Sequence, residues 1–308
     1  MSGAVPMTRR RMLALTALAS AALFGCGTGD RSTVRLASGE DGGFYFAFAR
    51  LLADAAANET DTVRIEPVET AGSQQNLRMI ADGEVETALA LADSVGDFGS
   101  RVLALGRVYE NYLQLAVRAD SDVEQIADLR GRRVNLGAAG SGAALTGARL
   151  LAAAGLDPAA GVVIEHRPLR EATRALTDGG IDALLWAGGV PTAALTVPDP
   201  MRLLDLGALV APMRAEYGPV YDHVAIPADA YPGSPAVHTI GVTNLLLATA
   251  TLPDETAAAI VELLLWHADA LVPAEAAGTQ FLDGRFLIGT GTVPLHPAAA
   301  EVYRRWHG

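Results

Sequence analysis

The 308-residue chain is predicted to be an α/β protein of two similar lobes, on three observations. Strand-like and helix-like segments alternate along it. Two blocks each open with a strand, a glycine-rich turn and a helix. The turns that follow the strands are built of small polar residues. Units of strand, helix and strand favour sheets of mostly parallel strands covered by helices on both faces.

In the first block, "TVRLAS" (33 to 38) reads as a strand, "GEDGG" as a glycine turn, and "FYFAFARLLADAAA" (44 to 57) has helical apolar spacing. A second strand, "TVRIEPVE", leads to "TAGSQQNLRMIADGE", which reads as a capped helix, and then to the apolar strand "TALALAD". After "NYLQLAVRADS" the scheme repeats: "GRRVNLGAAG", a helix from Ser141 to Ala154, "VVIEHRP", the helix "REATRALTDGG", and "IDALLWAGGVP". The strand "GVTNLLLATA" and the helix "DETAAAIVELLLWHADAL" follow, with Asp254 placed to cap that helix and Trp266 on its apolar stripe as a core residue.

The N-terminus has a basic block (Arg9, Arg10, Arg11), an apolar run from Met12 to Gly25, and then the chain's one cysteine, Cys26. Fourteen residues fall short of the roughly twenty a spanning helix needs, so the run reads as an export signal. Leu23-Phe24-Gly25-Cys26 resembles a bacterial lipobox, which makes residues 1–25 a signal peptide and Cys26 a lipidated first residue that anchors an extracytoplasmic protein. Thr8-Arg9-Arg10-Arg11-Met12-Leu13 also resembles the twin-arginine signal, leaving two export routes open.

Losing three arginines and no acid with that signal takes the net charge from −12 to −15. All 23 basic residues are arginine. An acidic chain with no basic cluster is not a nucleic-acid binder in outline. With its cysteine assigned to lipid, the chain has neither a disulfide framework nor a cysteine nucleophile. The six histidines lie apart, without metal-ligand spacing. No triad ordering or cofactor fingerprint is present, so neither enzyme activity nor a cofactor is expected.

In open α/β sheets, ligands sit beyond the carboxyl ends of the strands. The turns expected there are "GEDGGFY", "TAGSQQN", "ADS", "GAAGSGA" and "AGGVPT". Helix-start N–H groups lack intrahelical partners and suit a small anion. Ser141, Gly142 and Ala143 therefore become candidates for a ligand carboxylate, with "TAGS" closing from the opposite lobe. Tyr45 offers either a hydroxyl to the ligand or packing behind the turn, beside Gly43 and Phe44. Ser73 and Asn76 serve as contacts or as caps. Asp93, next to Ser94, either meets a ligand amine or makes a hinge hydrogen bond. Gly189, Val190 and Pro191 shape the pocket wall, with the Gly189 N–H as a further donor.

The same turns resemble the TAXI-type solute receptors of tripartite ATP-independent periplasmic (TRAP) transporters. The matching elements are Gly42-Gly43-Phe44-Tyr45, Thr70-Ala71-Gly72-Ser73-Gln74-Gln75-Asn76, Ala92-Asp93, the "DL-G-RV" element from Asp128 to Val134, Gly140-Ser141-Gly142, and the "GGVPT" turn from Gly188 to Thr192. "IPADAYPG", "TIGVTNLLLATATLPDE" and "PLHPAAAEVYRRW" extend the likeness over nearly all of the mature chain.

The resemblance implies a type II periplasmic-binding fold, two α/β lobes joined by a hinge around an interdomain ligand cleft. Residues 26–32 would form the lipidated terminus and linker. Residues 33–117 with 238–308 would form one lobe, and 118–237 the other. It further implies a monomer that hands a small organic acid or amino acid, glutamate or 2-oxoglutarate among them, to a TRAP-type membrane permease; the alternative is a receptor presenting its ligand to a membrane signalling protein. Ala143-Ala144 stand where many members have threonine and glutamate, and apolar residues precede the "AD" element, which points to a less polar ligand.

Overall fold

The computed structural model describes residues 31–196, 201–273 and 282–308. The expected export signal and Cys26 lie outside them. Strands β1 (Ser32–Ala37), β2 (Val63–Val68) and β3 (Thr87–Leu91) pair in parallel in the order β2-β1-β3. Helix α1 (Phe44–Glu59) joins the first two, and α2 (Ser73–Ala81) joins the second to the third. In α1, Tyr45, Phe48, Ala49, Leu52, Ala55 and Ala56 are buried, the three- and four-residue spacing that sets one face of a helix against a sheet.

The second block is built alike. Strands β5 (Arg133–Asn135), β6 (Val163–Glu165) and β7 (Ala183–Gly188) are parallel, with β5 between the other two. They are joined by α3 (Gly142–Ala153) and α4 (Leu169–Thr177). Along β7, Ala183, Leu185 and Ala187 enter one core and Leu184 and Trp186 another. That alternation shows a strand covered on both faces.

Two long antiparallel strands join the blocks. Strand β4 (Val102–Arg118) pairs β10 (Val237–Thr249) over its first part and β7 from Tyr112 to Ala116. Strand β10 pairs β3 from Asn244 onwards, and β9 (Tyr221–Ile226) from Val237 to Val242. Both strands thus change partners in mid-course, and one hydrogen-bonded sheet runs through both lobes. Short β8 (Met201–Leu203) adds to β4, and α5 (Val210–Tyr217) precedes β9.

Helices α6 (Asp254–Trp266) and α7 (Pro297–His307) cover the first lobe. Two expectations about α6 are corrected. Pro253 is its N-cap and makes no side-chain cap hydrogen bond, so Asp254 is instead the first helical residue. Trp266 is 66% exposed, because it sits two residues, about 200° of helix rotation, past Leu264 on the buried stripe of Ala257, Ile260, Val261 and Leu264. The expected cap on α2 is also replaced: its N-cap is Gly72, with no side-chain cap hydrogen bond.

Where β4, β9 and β10 meet, Glu110 lies opposite Thr243, and Asp222 opposite Gly241. Burial, and then the neighbouring Asp222 carboxylate, push Glu110 up to about 7 against the pull of Arg107. A group whose pKa is raised on folding contributes stability at pH below its unfolded value and loses it as pH rises through the folded one. Thermal stability is therefore expected to fall between about pH 4.5 and about pH 7. Glu110→Gln, neutral throughout, should flatten that part of the melting-temperature profile. Identical pH slopes for parent and variant would refute this assignment.

Candidate functional site

The carboxyl ends of β1, β2 and β5 each lead through a short turn into a helix, and these helix starts surround one cavity. Gly43, Phe44 and Tyr45 of α1, Gly72 and Ser73 of α2, and Ser141, Gly142 and Ala143 of α3 all line it. Its empty space is about 430 Å³, part of it open to solvent. None of the three helices has an acidic residue in its first turn. Only α3 has a side-chain cap, Ser141 Oγ accepting from Ala144 N–H at 3.1 Å. Three partly positive helix ends pointed at one space form an electrostatic trap for an anion.

The two lobes are in contact across this site. A Cβ on Gly142 would lie 2.5 Å from Ser73 Oγ and 2.7 Å from Leu91 Cδ1. The Gln75 N–H donates to the Gly140 carbonyl at 3.1 Å. The Leu169 N–H at the start of α4 donates to Glu40 Oε2 at 2.9 Å. A carboxylate of the first lobe thus caps a helix of the second, and burial raises its pKa while that N–H opposes the rise.

Asp93 makes the most heavily bonded contact between the lobes. Its side chain is fully buried and accepts from Thr146 Oγ1 at 2.7 Å and from the Tyr221 hydroxyl at 3.1 Å. Arg149 lies 3.5 Å from Asp93 Oδ2 and donates to the Asp93 carbonyl at 2.8 Å. Desolvation raises the Asp93 pKa, opposed by Thr146, Arg149, Tyr221 and Ser94. Ser94 Oγ donates to Asp93 Oδ1 at 3.3 Å. Neither Asp93 nor Ser94 lines the cavity; of the two roles left open for Asp93, the structure places it in the interlobe hydrogen bond.

The remaining candidates divide in the same way. Tyr45 lines the cavity, but its hydroxyl donates to Asn244 Oδ1 and lies 3.4 Å from Ser73 Oγ; burial raises its pKa above the ordinary phenol value. Ser73 Oγ accepts from Leu91 N–H at 3.0 Å. Asn76 sits behind the wall, donating to the Ser38 and Leu89 carbonyls and accepting from Thr70 Oγ1. Gly189 holds its carbonyl toward Gln114 and Thr192, and a Cβ there would meet the Phe44 ring at 2.3 Å. Val190 is buried and Pro191 half-buried, and neither lines the cavity.

The lining residues with polar side chains that are not among the sequence candidates are Glu40, Asn111 and Trp186. Glu40 belongs to the quoted "GEDGG" turn, whereas Asn111 and Trp186 lie inside strands, where nothing local singles them out. Trp186 Nε1 and Asn111 Oδ1 are buried without a hydrogen-bond partner, although Trp186 is 8% and Asn111 3% exposed. Buried polar atoms are nearly always paired; Trp186 turns Nε1 toward Gly188, outside the lining, and its Cζ2 and Cη2 toward Gly43, so of the two Asn111 Oδ1 is the unpaired acceptor open to a ligand group. Among the described residues no group of three or more metal-binding side chains occurs, and no helix is long and apolar enough to cross a membrane.

A two-lobed α/β sheet with a cavity between facing helix starts defines the class as the periplasmic-binding fold, as the type II expectation held. The chain belongs to the NMT1-like family, whose model matches residues 36–305. Among solved structures it is similar to the aliphatic sulphonate binding protein SsuA of Escherichia coli, at 17% identity and a TM-score of 0.52, over 89% of this chain and 83% of that one. A protein of Bordetella bronchiseptica RB50 matches at 13% identity and a TM-score of 0.58, over 91% and 99%. The alkanesulfonate-binding SsuA of Xanthomonas axonopodis pv. citri, bound to MOPS, matches at 18% identity and a TM-score of 0.50, over 90% and 84%.

Proposed function

We propose that this protein is an extracytoplasmic solute-binding lipoprotein that closes its two lobes on a small carboxylate-bearing solute and delivers it to a TRAP-type permease. The observation that carries this reading is the convergence of three helix starts, from both lobes, on one cavity. The carboxylate is received by Ser141 Oγ and the N–H groups of Gly142 and Ala143. Support for the permease partner comes from the TAXI-type order of turns, which spans both lobes. In this reading residues 33–117 with 238–308 form one lobe and 118–237 the other, with β4 and β10, whose hydrogen-bonded partners change along their length, running between them.

Native mass spectrometry of the purified mature domain should report a co-purified solute whose mass fits a small carboxylic acid or amino acid. Titration calorimetry with that solute then measures its affinity. A domain that carries no such solute, and binds none from a panel of carboxylates, would defeat the reading.

The anchor is tested separately. Cys26→Ser is expected to move the protein from the membrane to the soluble or extracellular fraction with its binding domain still folded. Fractionation unchanged from the parent would mean that Cys26 is not the attachment point.

A further inference from the structure

The cavity wall contains features that an anion alone does not use. Glu40 is the one carboxylate among the lining residues, which include no arginine or histidine, and the chain has no lysine. Its Oε2 is taken by the Leu169 N–H, whereas Oε1 makes no hydrogen bond among the described residues. Asn111 donates through Nδ2 to the Ala187 carbonyl at 3.2 Å, which fixes the orientation of the amide. Its Oδ1 is left as a second, buried acceptor without a partner.

The lining thus combines acceptors on Glu40 and Asn111 with donors at three helix starts. A free anion needs only the donors, and it gains nothing from a carboxylate nearby. A dicarboxylate fares worse, since its second charge meets no cationic side chain in the lining and does meet Glu40. A molecule carrying both an ammonium and a carboxylate satisfies both sets, because each charge finds partners of the opposite sign. Phe44, Leu91, Ala143 and Trp186 supply apolar surface for the remainder.

We propose that Glu40 is a specificity-determining residue that receives the ligand's ammonium group, with Asn111 Oδ1 as a second acceptor in the same lining, so that the solute is an α-amino acid with an apolar side chain. This rests on the carboxylate reading above. It also ties recognition to closure, because the same carboxyl group that meets the ammonium caps α4 of the opposite lobe. Glu40→Gln separates the two tasks: the amide oxygen still accepts from Leu169, but the negative charge is gone.

The test is titration calorimetry of the ligand-free mature domain with glycine, alanine, valine and leucine, with their deaminated counterparts acetate, propionate, 3-methylbutanoate and 4-methylpentanoate, and with 2-oxoglutarate. At least one amino acid should bind about tenfold or more tighter than its counterpart, the scale of a charged hydrogen bond, and 2-oxoglutarate should bind more weakly than that amino acid. Glu40→Gln should remove most of the preference while changing the counterpart's affinity by no more than about threefold. Deaminated acids that bind as tightly as amino acids, or a variant that weakens both alike, would overturn the ammonium role and leave the carboxylate reading standing. So would 2-oxoglutarate binding tightest of all. Binding of none of the nine compounds would overturn both.

Discussion

Gly142→Asp is expected to abolish solute binding while leaving the ligand-free protein folded. Any Cβ at this position would lie 2.5 Å from Ser73 Oγ and 2.7 Å from Leu91 Cδ1, both on the opposite lobe, so the closed arrangement has no room for it. The added carboxylate also sits among the N–H groups meant for the ligand. In the absence of ligand, an acidic residue at the first helical position interacts favourably with the helix end, so stability and binding should move apart. The loss of affinity should exceed a hundredfold, about 3 kcal/mol. Ser141→Ala should cost less, about 0.5 to 3 kcal/mol, the range for one hydrogen bond to a neutral or charged partner. It also removes the hydroxyl that caps α3 at Ala144, so melting curves must accompany the titration. Parent-like affinity in both folded variants would move the anion site elsewhere.

Asp93→Ala should be the most damaging single change to lobe closure outside the cavity lining. The carboxylate sits in a single helical turn, Ala92–Val95, after β3, and its partners Thr146, Arg149 and Tyr221 belong to the second lobe. Removing it leaves a guanidinium and two hydroxyls facing a gap. Arg149 keeps its bond to the residue 93 carbonyl. Breaking a buried pair by deleting one partner costs about 3 to 5 kcal/mol, and the low end suits Arg149, whose side chain is 26% exposed. Because this energy is gained on closing, it appears as lost affinity of about a hundredfold or more and as a larger radius of gyration by solution scattering with solute present. Asp93→Asn, which retains one acceptor, should fall between. An alanine variant with the parent's affinity and radius would show that the lobes close without this contact.

Much of this site is legible in the sequence because its parts are local. A glycine turn after a strand and before a helical stripe is encoded within about ten residues, by backbone freedom and apolar spacing. For that reason Gly43 to Tyr45, Ser73, and Ser141 to Ala143 are all found where the turns place them, around one cavity. Local spacing is a poorer guide at helix ends: Asp254 lies one residue inside the helix start, and Trp266 falls in the last turn of α6 off its buried stripe.

What only the tertiary structure decides is which distant residues meet. Leu169 lies 129 residues from Glu40, and Thr146 and Tyr221 lie 53 and 128 residues from Asp93. The strand pattern does not mark β4 and β10 as shared between two lobes, since the change of partner occurs inside each continuous strand. Asn111 and Trp186 read as ordinary strand residues until the sheet order brings them beside the helix starts. The sequence by itself determines the kind of fold and the helix starts that line the cavity, because turns and caps are satisfied by neighbours along the chain. The latch at Asp93, the Glu40 cap on α4 and the unpaired acceptor of the cavity wall exist only once both lobes pack, because a buried charge or amide finds its partner by position in space.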